Sequence, residues 1–378
     1  MSFLVSKPIT EVYLKPGIRY FHAMNWIQWF RFPKLDNNRL IHSLKTAIAF
    51  LLGVFIVRIF HFPQNGQWVL ISILVVMCAQ SRVGAIIQKS YMRFLGTVLG
   101  ACIAALTLWL AYPSVIWTTL ILCLTTALFS YIADSPSYLS EAGALGAVTT
   151  VIILIGINPS YANVLSRFLE ISLGIVIALL VSRFIWPLHS RTQLRYIVLN
   201  TLKNLQKISQ QLKGFYSIDA EKSYEAYEDK VISRFSSQSK LLDEVMRESF
   251  GRSSLAHVFK AILRSEREIL RWVSLMKNAL MSFSEEMRVN INQQARVQKI
   301  YDRSDKLFEA LIEQLNDKES EYPVTTLASI LKWKNEVHQE LSPFISTDSD
   351  KLAIDLFIFA AGNLLNQLTE TNHLIKKI

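Results

Sequence analysis

Arg93-Phe94-Leu95-Gly96-Thr97-Val98-Leu99-Gly100 recurs later in the chain as Arg167-Phe168-Leu169-Glu170-Ile171-Ser172-Leu173-Gly174, with five of eight positions matching. Each copy leads into an apolar run long enough to cross a bilayer, Tyr91–Ala111 in the first case and Arg167–Pro187 in the second. Four more apolar runs accompany them: Ile41–Phe60, Gly66–Gln80, Ser114–Ala133 and Ala142–Ile157. Turn chemistry separates the runs, at Phe62-Pro63-Gln64-Asn65-Gly66, Tyr112-Pro113-Ser114, Asp134-Ser135-Pro136-Ser137 and Asn158-Pro159-Ser160. Inside lipid the backbone must pair with itself, so these runs are read as six helices. Each copy of the repeat is expected to open the third helix of a three-helix half. Three is odd, so the halves would run in opposite directions, as a 3+3 inverted repeat. Gly66–Gln80 and Ala142–Ile157, the two short runs, then occupy corresponding places, which is where such folds build a central site.

Composition divides the chain. Of 378 residues 51% are hydrophobic, and the net charge is +10. Residues 1–190 hold 13 Lys+Arg and 5 Asp+Glu, whereas residues 191–378 hold 27 and 25. The first half is therefore apolar and basic, and the second is densely charged but nearly balanced. We expect a cytoplasmic or interfacial segment over 1–39, a six-helix transmembrane domain over 40–188 and a cytoplasmic all-helical domain over 189–378. In the last of these, Leu194, Ile197, Val198, Leu202, Leu205, Ile208 and Leu212 recur at helical spacing. About six helices are expected there. The aromatic stretch from Trp26 to Phe32 suits an interfacial helix or an aromatic belt.

Bases set the orientation. Lys7, Lys15, Arg19, Arg31, Lys34 and Arg39 precede the first helix; Arg82 and Lys89 follow the second; Arg191 and Arg195 follow the sixth. All fall on one side, which places both termini in the cytoplasm. Asp134 and Glu141 fall on that basic side against the trend. Cys78, Cys102 and Cys123 all lie in apolar runs, as reduced thiols packed among helices would.

The candidate residues line a path for an anion. An Arg at a helix start adds its charge to the positive end of the dipole, and Arg93 and Arg167 are read this way. Gly96, Gly100 and Gly174 permit close approach of neighbouring helices. Thr97 is a hydrogen-bond donor to a carboxylate. Glu170 is the candidate proton-coupling group. Lys45 and Lys89 add to the basic path. Blander readings stand beside these: Arg93 as a positive-inside anchor, Arg167 neutralised by Glu170, and Lys45 and Arg58 reaching back to the interface. Trp186-Pro187 would end the last span. There is no GxxxxGK, GxSxG, HExxH or CxxC, so no enzyme, cofactor or metal is expected, and the basic charge forms no stripe for nucleic acid.

Trp68, Lys89, Arg93-x-x-Gly96-Thr97-x-x-Gly100, Arg167-x-x-Glu170-x-x-x-Gly174 and Trp186-Pro187 together resemble the fusaric-acid-resistance-like family, which includes bacterial aromatic acid exporters and is related to plant aluminium-activated malate transporters. The resemblance covers roughly residues 38–187. It implies six spanning helices, a cytoplasmic helical domain and export of aromatic or other organic carboxylates across the bacterial inner membrane. Larger members carry two such units, so the resemblance implies a homodimer here, and it raises a periplasmic adaptor protein as a partner. The rival functions are a passive organic-anion channel and a non-transporting scaffold acting through residues 191–378.

Overall fold

The computed structural model describes residues 37–378 except 63–65, 79, 112–113, 137, 157–158, 215–217, 250–253 and 317–326, with the backbone alone for 218–220 and 327–331. The aromatic stretch from Trp26 to Phe32 and the bases up to Lys34 lie outside the described residues. Those described form α-helices and two short 3-10 turns, with no strand among them.

Helices occupy all six apolar runs: α1 (Asn37–Phe60), α2 (Gln67–Met77), α3 (Val83–Ala111), α4 (Val115–Ala133), α5 (Leu139–Ile155) and α6 (Tyr161–Phe184). By length and composition α1, α3, α4 and α6 can cross a bilayer, while α2 and α5 are shorter apolar helices. Two starts differ from expectation. Helix α6 begins at Tyr161 because Ser160, after Pro159, accepts the Asn163 N–H at 3.3 Å and caps the helix. Helix α3 begins at Val83, where Glu248 accepts the Gly84 N–H and Arg247 donates to Gln88. Neither Arg93 nor Arg167 therefore opens its helix.

Glycine sets the packing. A Cβ on Gly96 would lie 2.6 Å from the Ala142 carbonyl oxygen, and one on Gly100 would lie 2.6 Å from that of Gly146, so α3 and α5 meet backbone to backbone. A Cβ on Gly174 would lie 2.5 Å from the Val69 carbonyl oxygen, which places α6 equally close to α2. The remaining contacts join α3 to α6, α1 to α2 and α6, α4 to α5 and α3, α2 to α3, and α5 to α6. Exchange of α1 with α4, α2 with α5 and α3 with α6 carries the α3–α6 contact onto itself and each of the others onto another. Helix α4 buries only Thr125 and Phe129, leaving Val115, Ile116, Trp117, Leu124, Leu128 and Tyr131 uncovered. An apolar surface of that length suits lipid rather than water. Cys78, Cys102 and Cys123 are unpaired as expected, but they are exposed rather than packed between helices.

Beyond Ser190 come seven α-helices among the described residues, not about six: α7 (Ser190–Gln211), α8 (Ile218–Glu248), α9 (Ser254–Met281), α10 (Glu285–Gln293), α11 (Ala295–Leu315), α12 (Leu327–Leu341) and α13 (Asp348–Ile375). They share one core, running from Leu194 to Ile375. Helix α13 is itself long and apolar enough to span a membrane. Its apolar residues serve that core, however: 56% of its most apolar stretch is buried, more than in any of the other four spanning-length helices. A capping box at Thr347 and Asp350 starts it.

A tight junction joins the two parts. Arg82 makes a bidentate pair with Glu244 of α8, at 2.6 and 2.8 Å. Glu248 accepts two backbone donors at once, Gly84 N at 3.0 Å and Ser190 N at 2.8 Å, so one carboxylate serves the starts of α3 and α7. Arg247 donates to Gln88 at 2.6 Å, and Tyr138 donates to Asp243. Glu141, the acid on the basic side, faces Lys89 at 3.7 Å.

Glu266 of α9 is fully buried in the C-terminal core, with its Oε2 accepting from Gln238 at 2.6 Å. Burial pushes its carboxyl well above the usual carboxylate range, against the pull of Gln238, Arg267 and Arg234. A raised acid is stabilising while protonated, below its ordinary value of 4.5, and that contribution is lost as pH rises through the raised value. In thermal melts of the full chain, Glu266→Gln should match the wild type near pH 4.5 and exceed it increasingly toward neutral and alkaline pH. Parallel pH profiles would reject this. Gly96→Ala should lower the melting midpoint in detergent, at a cost of about 1–3 kcal/mol, because backbone atoms cannot yield to the new methyl. An unchanged midpoint would count against the close contact.

Candidate functional site

Arg93 lies ten residues inside α3, about 15 Å from its start at 1.5 Å per residue. Only 5% of its surface is exposed. Its Nε and Nη2 donate to the Ser72 hydroxyl of α2, at 3.3 and 3.2 Å. Among the described residues no carboxylate lies within ion-pairing distance of it. A guanidinium buried among apolar helices with only a hydroxyl to receive it is an expensive arrangement, and such residues mark transport paths. An anchor at the interface would be solvent-facing, which Arg93 is not.

Glu170 of α6 is also buried. Its Oε1 accepts from Ser166 Oγ at 3.0 Å and its Oε2 from Trp68 N at 3.4 Å. Trp68 is the second residue of α2, whose N-cap, Gly66, sits at φ +57 and offers no side-chain cap. The carboxylate therefore supplies negative charge where the α2 dipole is positive. Arg167 stacks its guanidinium over the Trp68 ring, 4.6 Å from the centroid. The two repeat copies touch: the rings of Phe94 and Phe168 are 5.8 Å apart. Val83 N donates to Leu188 O at 3.1 Å, so the start of α3 adjoins the exit of α6, and the two helices run antiparallel.

The other candidates separate. Thr97 spends its hydroxyl hydrogen on the Arg93 carbonyl, one turn back, at 2.8 Å, rather than offering it to a ligand. Gly96 and Gly100 close α3 onto α5, and Gly174 closes α6 onto α2, so none of the three lines an opening. Lys89 pairs with Glu141 at the junction, beside a cavity of about 400 Å³ that Arg82, Lys240 and Glu244 also line. Lys45 is wholly buried and shares the inward face of α1 with Ala49, Gly53 and Val57. Sequence reasoning missed Ser72, Ser166 and the contact of Arg167 with Trp68. Ser72 had a signal, a lone hydroxyl within the apolar stretch Val69–Met77.

Comparison with known proteins now adds to the geometry. A sequence profile of the Fusaric acid resistance protein family matches residues 39–377. The chain is also similar to the inner membrane protein YeeA of Escherichia coli (strain K12), at 30% identity over 166 residues. That match covers 41% of this chain and 44% of the relative, so the chain spans less than half the length of that protein. With its spanning-length apolar helices, the chain is a membrane protein. Because the profile takes in both the apolar helices and the helical unit behind them, the chain belongs to the fusaric acid resistance protein family.

Proposed function

We propose that this protein exports aromatic or other organic carboxylates from the cytoplasm across the inner membrane. The observation that carries the reading is Arg93: a buried cation inside the apolar helices that, among the described residues, is received by the Ser72 side chain alone and pairs with no carboxylate. A site of that kind is complementary to an organic acid and hostile to a cation. Both termini and the helical unit from Ser190 onward lie in the cytoplasm in this reading, in keeping with the bases around the Arg82 junction.

The membrane unit is read as two inverted three-helix halves. Supporting this are the exchange symmetry of the helix contacts, the antiparallel run of α3 and α6, and the meeting of Phe94 with Phe168. Alternating access then amounts to one half rocking on the other about the α3–α6 contact. Glu170 is the coupling group in this scheme. Protonation of its carboxylate would weaken its hold on the first turn of α2, linking a proton to the movement of that short helix. A second copy of the chain completes the transporter.

Proteoliposomes loaded with radiolabelled fusaric acid or benzoate provide the test. Arg93→Ala should lower the initial flux about tenfold or more, equivalent to about 1.4 kcal/mol of lost stabilisation. Arg93→Lys should retain part of it, and Arg167→Ala should fall between them. Glu170→Gln should carry substrate with no response to an imposed pH gradient. Unchanged flux in both arginine variants would remove the proposed roles, and flux of wild-type protein indifferent to the gradient would point to a passive channel.

A further inference from the structure

Four polar groups near one end of the membrane unit have no hydrogen-bond partner among the described residues: His42 Nδ1 and Lys45 Nζ on α1, Ser90 Oγ on α3 and Ser182 Oγ on α6, of which Lys45, Ser90 and Ser182 belong to buried residues. These last three share one depth. Asn38, Arg82 and Leu188 line a single cavity of about 360 Å³, which fixes a common level for α1, α3 and α6. From that level Lys45, Ser90 and Ser182 each lie six to eight residues inward, about 10 Å along their helices. They also share one interior. Asn38, His42, Lys45 and Ala49 form one stripe of α1 at spacings of four and three. Ile86, Ser90, Arg93 and Thr97 form one stripe of α3, with Arg82 just before the helix, and Ile171, Ile175, Ala178 and Ser182 form one stripe of α6. Ala49, Ile86, Ile171, Ile175 and Ala178 from these stripes belong to the same buried cluster.

A buried ammonium with no acceptor is costly, and so is a buried hydroxyl with none. A single anion bridging Lys45, Ser90 and Ser182 would satisfy these three together. A carboxylate has two oxygens and about four acceptor positions, enough for all three donors, and it cancels the charge of Lys45 as a water molecule cannot. Beyond this point the α3 stripe continues to Arg93, about one turn deeper.

We infer that Lys45, Ser90 and Ser182 form a carboxylate-binding subsite, entered from the cavity at Asn38, Arg82 and His189 and lying before Arg93 on the same track. The inference rests on the organic-anion reading above and adds the place where the substrate first leaves water.

Equilibrium dialysis of full-length protein in nanodiscs with labelled benzoate tests it. Lys45→Met should weaken benzoate binding at least tenfold, Lys45→Arg less than threefold, and the double variant Ser90→Ala with Ser182→Ala by an intermediate factor. Benzamide, neutral and of like shape, should not compete. Chloride displacing benzoate at equal concentration would assign the subsite to small inorganic anions and overturn the carboxylate reading. A second arm needs no ligand. With Cys78, Cys102 and Cys123 replaced by Ser, the Lys45→Cys thiol should react with an anionic methanethiosulfonate from the side bearing the C-terminal unit, and benzoate should slow that reaction. The subsite is overturned by unchanged benzoate affinity in Lys45→Met, or by an inert thiol at that position while Gln193→Cys at the mouth reacts. Binding that depends on Lys45 without any flux would sink the transport reading and leave the subsite standing. Flux with affinity indifferent to Lys45 would do the reverse.

Discussion

Close approach at glycine is the contact on which the membrane unit depends. Lipid offers no hydrophobic drive between helices, so association relies on how nearly two backbones can come together. Gly96 and Gly100 let α3 lie directly on α5, and Gly174 lets α6 lie directly on α2. Those contacts leave α3 and α6 side by side in the middle, and their arginines follow from that placement. Arg93 is carried into the interior because the helix bearing it is surrounded, and Arg167 is turned onto Trp68 because α2 is pressed against α6.

Short α2 shows how the chain handles charge where water is scarce. Eleven residues give it a length of about 16 Å, roughly half the hydrocarbon thickness, so at least one of its ends falls within the membrane. A free helix end there would leave backbone groups unpaired. Glu170 meets the first turn through the Trp68 N–H. The Glu170 carboxylate thus sits against the positive end of the α2 dipole, whereas Lys45 and Arg93 have no ion-pair partner among the described residues.

The C-terminal unit is more than an appendage to this arrangement. Glu244 and Glu248, one turn apart near the end of α8, hold Arg82, Gly84 and Ser190, and so hold the beginning of α3 and of α7 together. Movement of α8 would therefore reach the helix that carries Arg93. The same unit keeps a buried acid, Glu266, beside Gln238 and Thr201, a polar seam through an otherwise apolar core.

Much of this was legible in the residues alone. Runs such as Ser114–Ala133 are apolar over a bilayer's thickness and carry no charge, which leaves a helix as the outcome whatever surrounds it. The repeated Arg-Phe-Leu element, the pair of short helices and the shift from apolar to charged composition near residue 190 are likewise properties of local sequence. Other features were settled only in three dimensions. The segment from Val83 to Ser90 lies ahead of the apolar run that starts at Tyr91 and reads as part of a loop; it is helical, and Arg247 and Glu248, some 160 residues away, meet Gln88 and the Gly84 N–H. Lys45 could equally have turned outward; the face of α1 that α2 and α6 cover decided that it did not. Helix α13 reads as a span by composition and serves as core by packing. Hydropathy records how much a segment gains by leaving water, and that is a local quantity. Whether lipid or protein takes the place of water, and which cation finds a partner, depends on neighbours that only the folded chain brings together.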